Sequence, residues 1–174
     1  MRYALIGLVA TGLAGCESVQ GLLSDAPRAS ADLQPTKGNK AAGKVDFSQA
    51  GSKVRVVANL TGLTPGREHG FHIHEAGDCS SGDGMSAKGH FNPLGKPHGH
   101  PKSAERHAGD MPALRADSGG NAKLDTELDI ITVAPGQASI VGRGLIVHAD
   151  PDDYKTQPTG NAGARLACAV IQRR

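Results

Sequence analysis

Gly70-Phe71-His72-Ile73-His74-Glu75-Ala76-Gly77-Asp78-Cys79 (GFHIHEAGDC) is the stretch from which the fold is read. In an extended strand side chains alternate between faces, so His72 and His74 point one way while Phe71 and Ile73 point the other. One face feeds an apolar core and the other presents two imidazoles. After Glu75 the alternation stops, and a segment rich in Gly, Ser, His and Pro runs on to Asp110, passing His90, His98 and His107. Loops of more than about 15 residues are uncommon in compact domains unless they are functional or disordered. The imidazoles argue for a loop wrapped on metal, because ligand bonds replace the apolar contacts it lacks.

Outward from this stretch the chain reads as short strands separated by turn signals. Upstream, Ala31 to Pro35 is a short strand and Ala42 to Ser48 a second. In Lys53 to Leu60, Val54, Val56, Ala58 and Leu60 alternate with polar residues. Lys37-Gly38-Asn39, Gln49-Ala50-Gly51-Ser52 and Thr64-Pro65-Gly66 mark the turns. Downstream, Ala113 to Ala116 is a brief strand, and Leu124, Thr126, Leu128 and Ile130 share a face of another. Gly144 to His148 sets Leu145 and Val147 against Ile146 and His148, so His148 emerges from a strand's outer face as His72 and His74 do. A second irregular loop spans Ala149 to about Ala164, before a final strand from Arg165 to Ile171. About eight short strands with two long loops indicate an antiparallel sandwich or barrel. Both long loops begin beside strand histidines, which places the metal site outside the barrel under the loops.

Composition supports a small β domain. Aromatics are 3% and glycines number 24, so the core is aliphatic and turns are frequent. A net charge of +2 on scattered basic residues, with few aromatics to stack bases, argues against nucleic acid as a partner. At the N-terminus, Arg2 precedes a short apolar run ending in Leu13-Ala14-Gly15-Cys16. That run is shorter than the roughly 20 residues a membrane-spanning helix requires and reads as an export signal. The cysteines are Cys16, Cys79 and Cys168. If export chemistry consumes Cys16, the other two are free to pair in an oxidising compartment. The expected organisation is a signal peptide over 1–15, a tether over 16–28 and a folded domain over 29–174, with the boundaries those implied by the resemblances given below.

Four motifs, GFHIHEAGDC at 70–79, GHFNP at 89–93, HAGD at 107–110 and GNAGARLAC at 160–168, closely resemble the copper/zinc superoxide dismutases and occur in that family's order. The resemblance spans Ala29 to the C-terminus. It implies an eight-stranded antiparallel Greek-key barrel with two long loops forming the metal site. It further implies a copper held by His72, His74, His90 and His148, and a zinc held by His90, His98, His107 and Asp110, with His90 bridging the two. Imidazole suits both metals: a four-nitrogen set supports Cu(II) and lets it cycle to Cu(I), while a closed N3O set suits redox-inert zinc. The implied reaction is dismutation of superoxide to oxygen and hydrogen peroxide, with His90 handling a proton.

The same resemblance makes Arg165, in NAGAR, the channel arginine that docks the anion. Thr159 narrows the entrance and Lys155 contributes to steering. Asp152 is the carboxylate that hydrogen-bonds His72 and His98 on the ring nitrogens turned away from metal. Cys79 and Cys168 match the family's disulfide. His69 shares parity with Phe71 and is expected to be buried and structural, and His100 to face solvent. Leu13-Ala14-Gly15-Cys16 resembles a bacterial lipobox, which implies a lipid on Cys16, membrane attachment and a place in the cell envelope, on the periplasmic side or at the outer membrane. The competing reading is an envelope protein that binds copper or zinc on this fold without turnover. Monomer and homodimer both stay open.

Overall fold

The computed structural model describes residues 26–174, so Cys16 and the lipobox lie outside the described residues. Ten strands follow in order: β1 (Arg28–Pro35), β2 (Ala42–Ala50), β3 (Lys53–Thr61), β4 (Glu68–His69), β5 (Phe71–His74), β6 (Leu114–Arg115), β7 (Ala122–Leu128), β8 (Gly144–His148), β9 (Arg165–Val170) and β10 (Gln172–Arg173). A single 3₁₀ turn, Met85–Ala87, interrupts the first long loop.

Local chemistry accounts for the strongest pairing. In β3 the residues Val54, Val56, Ala58 and Leu60 are all buried, while Lys53, Arg55, Asn59 and Thr61 are exposed. β2 and β3 pair in register from Ala42↔Thr61 to Ala50↔Lys53, leaving Gly51-Ser52 as a two-residue hairpin turn. Gly51 takes φ +59°, which the turn requires and which costs glycine nothing.

The main sheet follows the path β5-β8-β9-β1-β2-β3-β7, with β10 added to β1. Every pairing in it is antiparallel. β4 runs into β5 and β6 precedes β7, and β4 pairs with β6 through His69↔Leu114. That short pair ties the two ends of the curled sheet together. The architecture is the antiparallel barrel expected from the strand pattern.

One aliphatic cluster fills the interior, including Val45, Phe47, Leu60, Phe71, Ile73, Leu145, Val147 and Ile171. Burying each large side chain of this kind contributes about 1.5–3 kcal/mol. A second, smaller cluster of Ala87, Ile146 and Cys168 with Cys79 lies on the opposite face of β8 and β9, where the first loop covers it. Several elements differ from the sequence pattern, β2 among them: it runs on to Ala50, leaving only Gly51-Ser52 of the expected turn Gln49-Ala50-Gly51-Ser52. β1 starts at Arg28 because its pairing with β2 continues to Arg28↔Ser48. β7 ends at Leu128, and Ile130 packs on the core from the following loop. β10 is carried by polar, exposed residues and exists through its pairing with β1, so hydrophobic alternation did not signal it.

Candidate metal centre

β5 and β8 are adjacent, with His72 opposite Ile146 and His74 opposite Gly144. Between Val147 and His148 the register to β9 shifts, so His148 pairs with Arg165. His72, His74 and His148 all emerge on the face turned away from the barrel core, yet each is buried because the two loops close over them. The first loop is laced to β5 by its backbone: Phe91 N–H donates to Ile73 O at 2.8 Å and Ile73 N–H to Gly109 O at 3.0 Å. A Cβ on Gly109 would stand 2.2 Å from Ile73 O, so the close approach requires glycine there. These contacts bring His90 and Asp110 beside the strand histidines.

Two groups of potential ligands result, and His90 belongs to both. Single donor atoms of His72, His74, His90 and His148 lie within 4.8 Å of one another, as do those of His90, His98, His107 and Asp110. In the second group, Asp110 Oδ1 is 2.8 Å from His90 Nδ1, 3.1 Å from His98 Nδ1 and 3.3 Å from His107 Nδ1. Ligands on a tetrahedral zinc, with bonds of ~2.0 Å, stand about 3.3 Å apart. In the first group, His74 Nε2 and His148 Nε2 are 3.3 Å apart.

His72 Nδ1, His90 Nε2 and His98 Nδ1 are buried without a hydrogen-bond partner. Unsatisfied buried nitrogens are costly, and three aimed into two shared spaces are what cation sites need. The donor set therefore fits two metal ions on independent grounds of distance and satisfaction.

The other ring nitrogens are committed. His74 Nδ1–H donates to Lys88 O at 2.8 Å and His148 Nδ1–H to Gly163 O at 3.3 Å, which leaves Nε2 of each free for metal. Asp152 accepts from His72 Nε2 at 2.7 Å and His98 Nε2 at 2.9 Å, joining the two groups from behind. Asp110 Oδ2 accepts backbone N–H from Gly99 at 3.0 Å and His107 at 2.9 Å.

Electrostatics follows from this wiring. Burial, reinforced by neighbouring imidazoles, holds His74 and His148 well below the ordinary histidine value. Burial also lowers His90 to about 4, against the opposing pull of Asp110. These rings are neutral at pH 7, the form that binds metal. For His98, burial opposes the charge but is outweighed by the adjacent carboxylate of Asp110 and by Asp152, which accepts from Nε2; together they raise it to about 9. Asp152 is lowered: burial opposes the shift, and hydrogen bonds from His72 and His98 override it.

A cavity of about 250 Å³ opens beside His74 and His148, and Thr159 and Arg165 line it with them. Arg165 donates through Nη1 to Gly84 O at 2.6 Å and through Nη2 to Lys88 O at 2.5 Å, so the first loop holds the guanidinium at the cavity wall. Lys155 is exposed on the second loop and does not line this cavity.

All seven residues of the two ligand sets converge, His90 in both, and Cys79 is bonded to Cys168. His69 is buried and donates from Nδ1 to His148 O at 2.8 Å. His100 faces solvent, accepts Lys102 N–H at Nδ1, and packs edge-on against Tyr154.

A family model described as copper/zinc superoxide dismutase (SODC) matches residues 41–171. The chain belongs to the copper/zinc superoxide dismutase family. It is 42% identical over 149 residues to superoxide dismutase [Cu-Zn] 2 of Aquifex aeolicus, covering 83% of this chain and 86% of that one. It is 45% identical over 135 residues to the superoxide dismutase [Cu-Zn] of Paramecium bursaria Chlorella virus 1, covering 74% of this chain and 71% of the other. Among solved structures, that of the clock protein EA4 superposes with a TM-score of 0.76 at 41% identity, covering 83% of this chain and 93% of that one. The fold is thus that of the copper/zinc superoxide dismutase family, whose cofactors are copper and zinc.

Several residues that serve this copper/zinc site were missed by reading ligand types. Gly84 and Lys88 act through carbonyl oxygens, which any residue possesses. Gln157 grips His98, its Oε1 accepting His98 N–H at 2.8 Å and its Nε2 donating to His98 O at 2.9 Å. Gly160, at φ +67°, leaves room for the Asp152 bridge: a Cβ would lie 1.9 Å from Asp152 Oδ1 and 2.6 Å from His98 Nε2. The Gly-rich run around residue 160 was the available signal for that last position.

Proposed function

We propose that this protein dismutes superoxide, two superoxide anions and two protons yielding one oxygen and one hydrogen peroxide, in the cell envelope. The observation that carries the reading is the adjacency of two donor groups sharing His90, with the His74–His148 side open to a cavity walled by Arg165. His72, His74, His90 and His148 would hold copper, and His90, His98, His107 and Asp110 would hold zinc. Copper, when bound, supplies the one-electron redox cycle, and zinc supplies a fixed charge without redox chemistry.

The chain's own groups do the rest. Arg165 offers a permanent positive charge and planar N–H donors where a small anion enters. Thr159, on the same cavity, limits the size of what passes. His90 Nε2, buried and without a protein partner, is the atom placed to hold a proton and deliver it to departing peroxide. Asp152 keeps His72 and His98 oriented, and the loops exclude bulk water from the imidazoles.

Export and anchoring complete the proposal. The Leu13-Ala14-Gly15-Cys16 sequence supports lipid attachment at Cys16, and the Cys79–Cys168 bond is of a kind that persists in oxidising compartments. Reconstituting the protein with copper and zinc and measuring superoxide decay tests the activity. Turnover that vanishes in His148→Ala and drops sharply in Arg165→Ala is the expected result. Metal uptake without turnover would replace the proposal with a storage role. Metabolic labelling with a palmitate analogue, lost in Cys16→Ser, tests the anchor.

A further inference from the structure

Met85 is the one sulfur-bearing residue that lines the cavity beside His74 and His148, and it is 60% exposed. Met111, by contrast, is 0% exposed inside the core. Cys79 and Cys168 are consumed in a disulfide, so among the described residues no free thiol competes for an oxidant. Met85 opens the 3₁₀ turn Met85–Ala87, and the residues on either side of that turn, Gly84 and Lys88, supply the two carbonyls that hold Arg165. An accessible thioether therefore stands where product leaves and where the anion-docking arginine is anchored.

We propose that Met85 is a modification site: hydrogen peroxide made by the enzyme converts its thioether to the sulfoxide, and the modified side chain weakens anion entry. The inference rests on the superoxide dismutase reading, which supplies the oxidant. A lone pair on Met85 Sδ attacks one oxygen of hydrogen peroxide, forming an S–O bond as the O–O bond breaks. Sulfur loses two electrons, peroxide gains them, and the departing oxygen takes the remaining proton and leaves as water. The product replaces an apolar atom with a strong acceptor beside Arg165. A guanidinium has five N–H donors, and those not given to Gly84 and Lys88 face the competition between sulfoxide and incoming anion.

The test uses the metal-loaded full-length protein in two arms, one supplied continuously with superoxide and one treated with added hydrogen peroxide. Peptide mass spectrometry follows the gain of one oxygen on the Met85 and Met111 peptides, and superoxide decay is measured before and after treatment. Oxidation at Met85 is expected on the order of tenfold faster than at Met111. The superoxide rate constant is expected to fall about two- to threefold, through weakened steering. Methionine sulfoxide reductase restores that loss in the wild type, whereas Met85→Leu shows no reductase-reversible loss. Equal oxidation of Met85 and Met111, or a reversible loss of the same size in Met85→Leu, overturns the proposal. A protein that gains oxygen at Met85 only with added peroxide, and never consumes superoxide, sinks the dismutase reading while leaving the reactivity of Met85 standing.

Discussion

His74 Nε2 and His148 Nε2 stand 3.3 Å apart although 74 residues separate them in the chain. They meet because β5 and β8 are antiparallel neighbours and alternation along β8 puts His148 on the same outer face as His74, while the register shift that skips Leu166 sets Arg165 of β9 opposite His148. Replacing His148 by Ala removes one of four donors from the copper group and leaves the barrel core untouched. Turnover of the reconstituted protein should be lost, with strand content by circular dichroism unchanged and zinc still bound at one equivalent.

The Arg165 guanidinium is held by Gly84 O and Lys88 O rather than by a hydrogen bond to a ligand side chain. Arg165→Ala should therefore keep both metals and lower the second-order rate constant about tenfold. The remaining rate should depend less steeply on ionic strength than the wild type's, because the screened charge is gone. Stopped-flow superoxide decay at several salt concentrations measures both effects.

Asp152 and Gly160 act as one unit. Asp152→Ala frees His72 Nε2 and His98 Nε2, and metal affinity should fall about 10- to 100-fold. Gly160→Ala should produce a similar fall by driving its Cβ into the Asp152 carboxylate. In the double variant the losses should not add, since the second change removes a contact already broken. Competition against a chromophoric chelator provides the affinities.

In the metal-free protein His98 holds its proton up to about pH 9, because Asp110 and Asp152 outweigh the effect of burial. Zinc must displace that proton from Nδ1. Zinc affinity should rise with pH by about tenfold per unit from this group as long as the pH is below about 9, and then level. The linked stability runs the other way: the His98 contribution to the metal-free fold is fully present below ~6.5 and is lost as pH rises through about 9. Chelator competition and denaturant melts across that range check the two signs separately.

The Cys79–Cys168 bond spans 89 residues and ties the first loop to β9, three residues beyond Arg165. Replacing both cysteines by Ser should lower stability by about 4 kcal/mol on the chain-entropy account. It should also loosen the loop bearing Gly84 and Lys88, so superoxide turnover should fall further than metal content. Urea melts paired with metal analysis separate the two.

Much of this protein was legible along the chain. Val54, Val56, Ala58 and Leu60 announced β3, and His72-Ile73-His74 announced a strand with a core face and an imidazole face, because alternation is local. The ligand types at 90, 107 and 110 lay in motifs, that at 148 was marked by strand alternation, and that at 98 was implied by the resemblance. β10 was not, because its polar residues are held by pairing with β1 rather than by burial. Nor were the carbonyls of Gly84, Lys88 and Gly163, since a backbone oxygen carries no mark of its partner in residue type.

By itself, then, the sequence determined strand periodicity, the supply of imidazole and carboxylate ligands, and the family to which these motifs point. The sharing of His90, the bridge from Asp152 and the station of Arg165 were implied by resemblance; tertiary structure alone decided the distances at which these groups meet, that Gly84 and Lys88 hold Arg165, and that Gln157 grips His98. The physical reason is range: alternation and turn chemistry act over a few residues, whereas a metal centre is defined by angstrom distances between groups brought together by barrel closure and loop-to-strand hydrogen bonds.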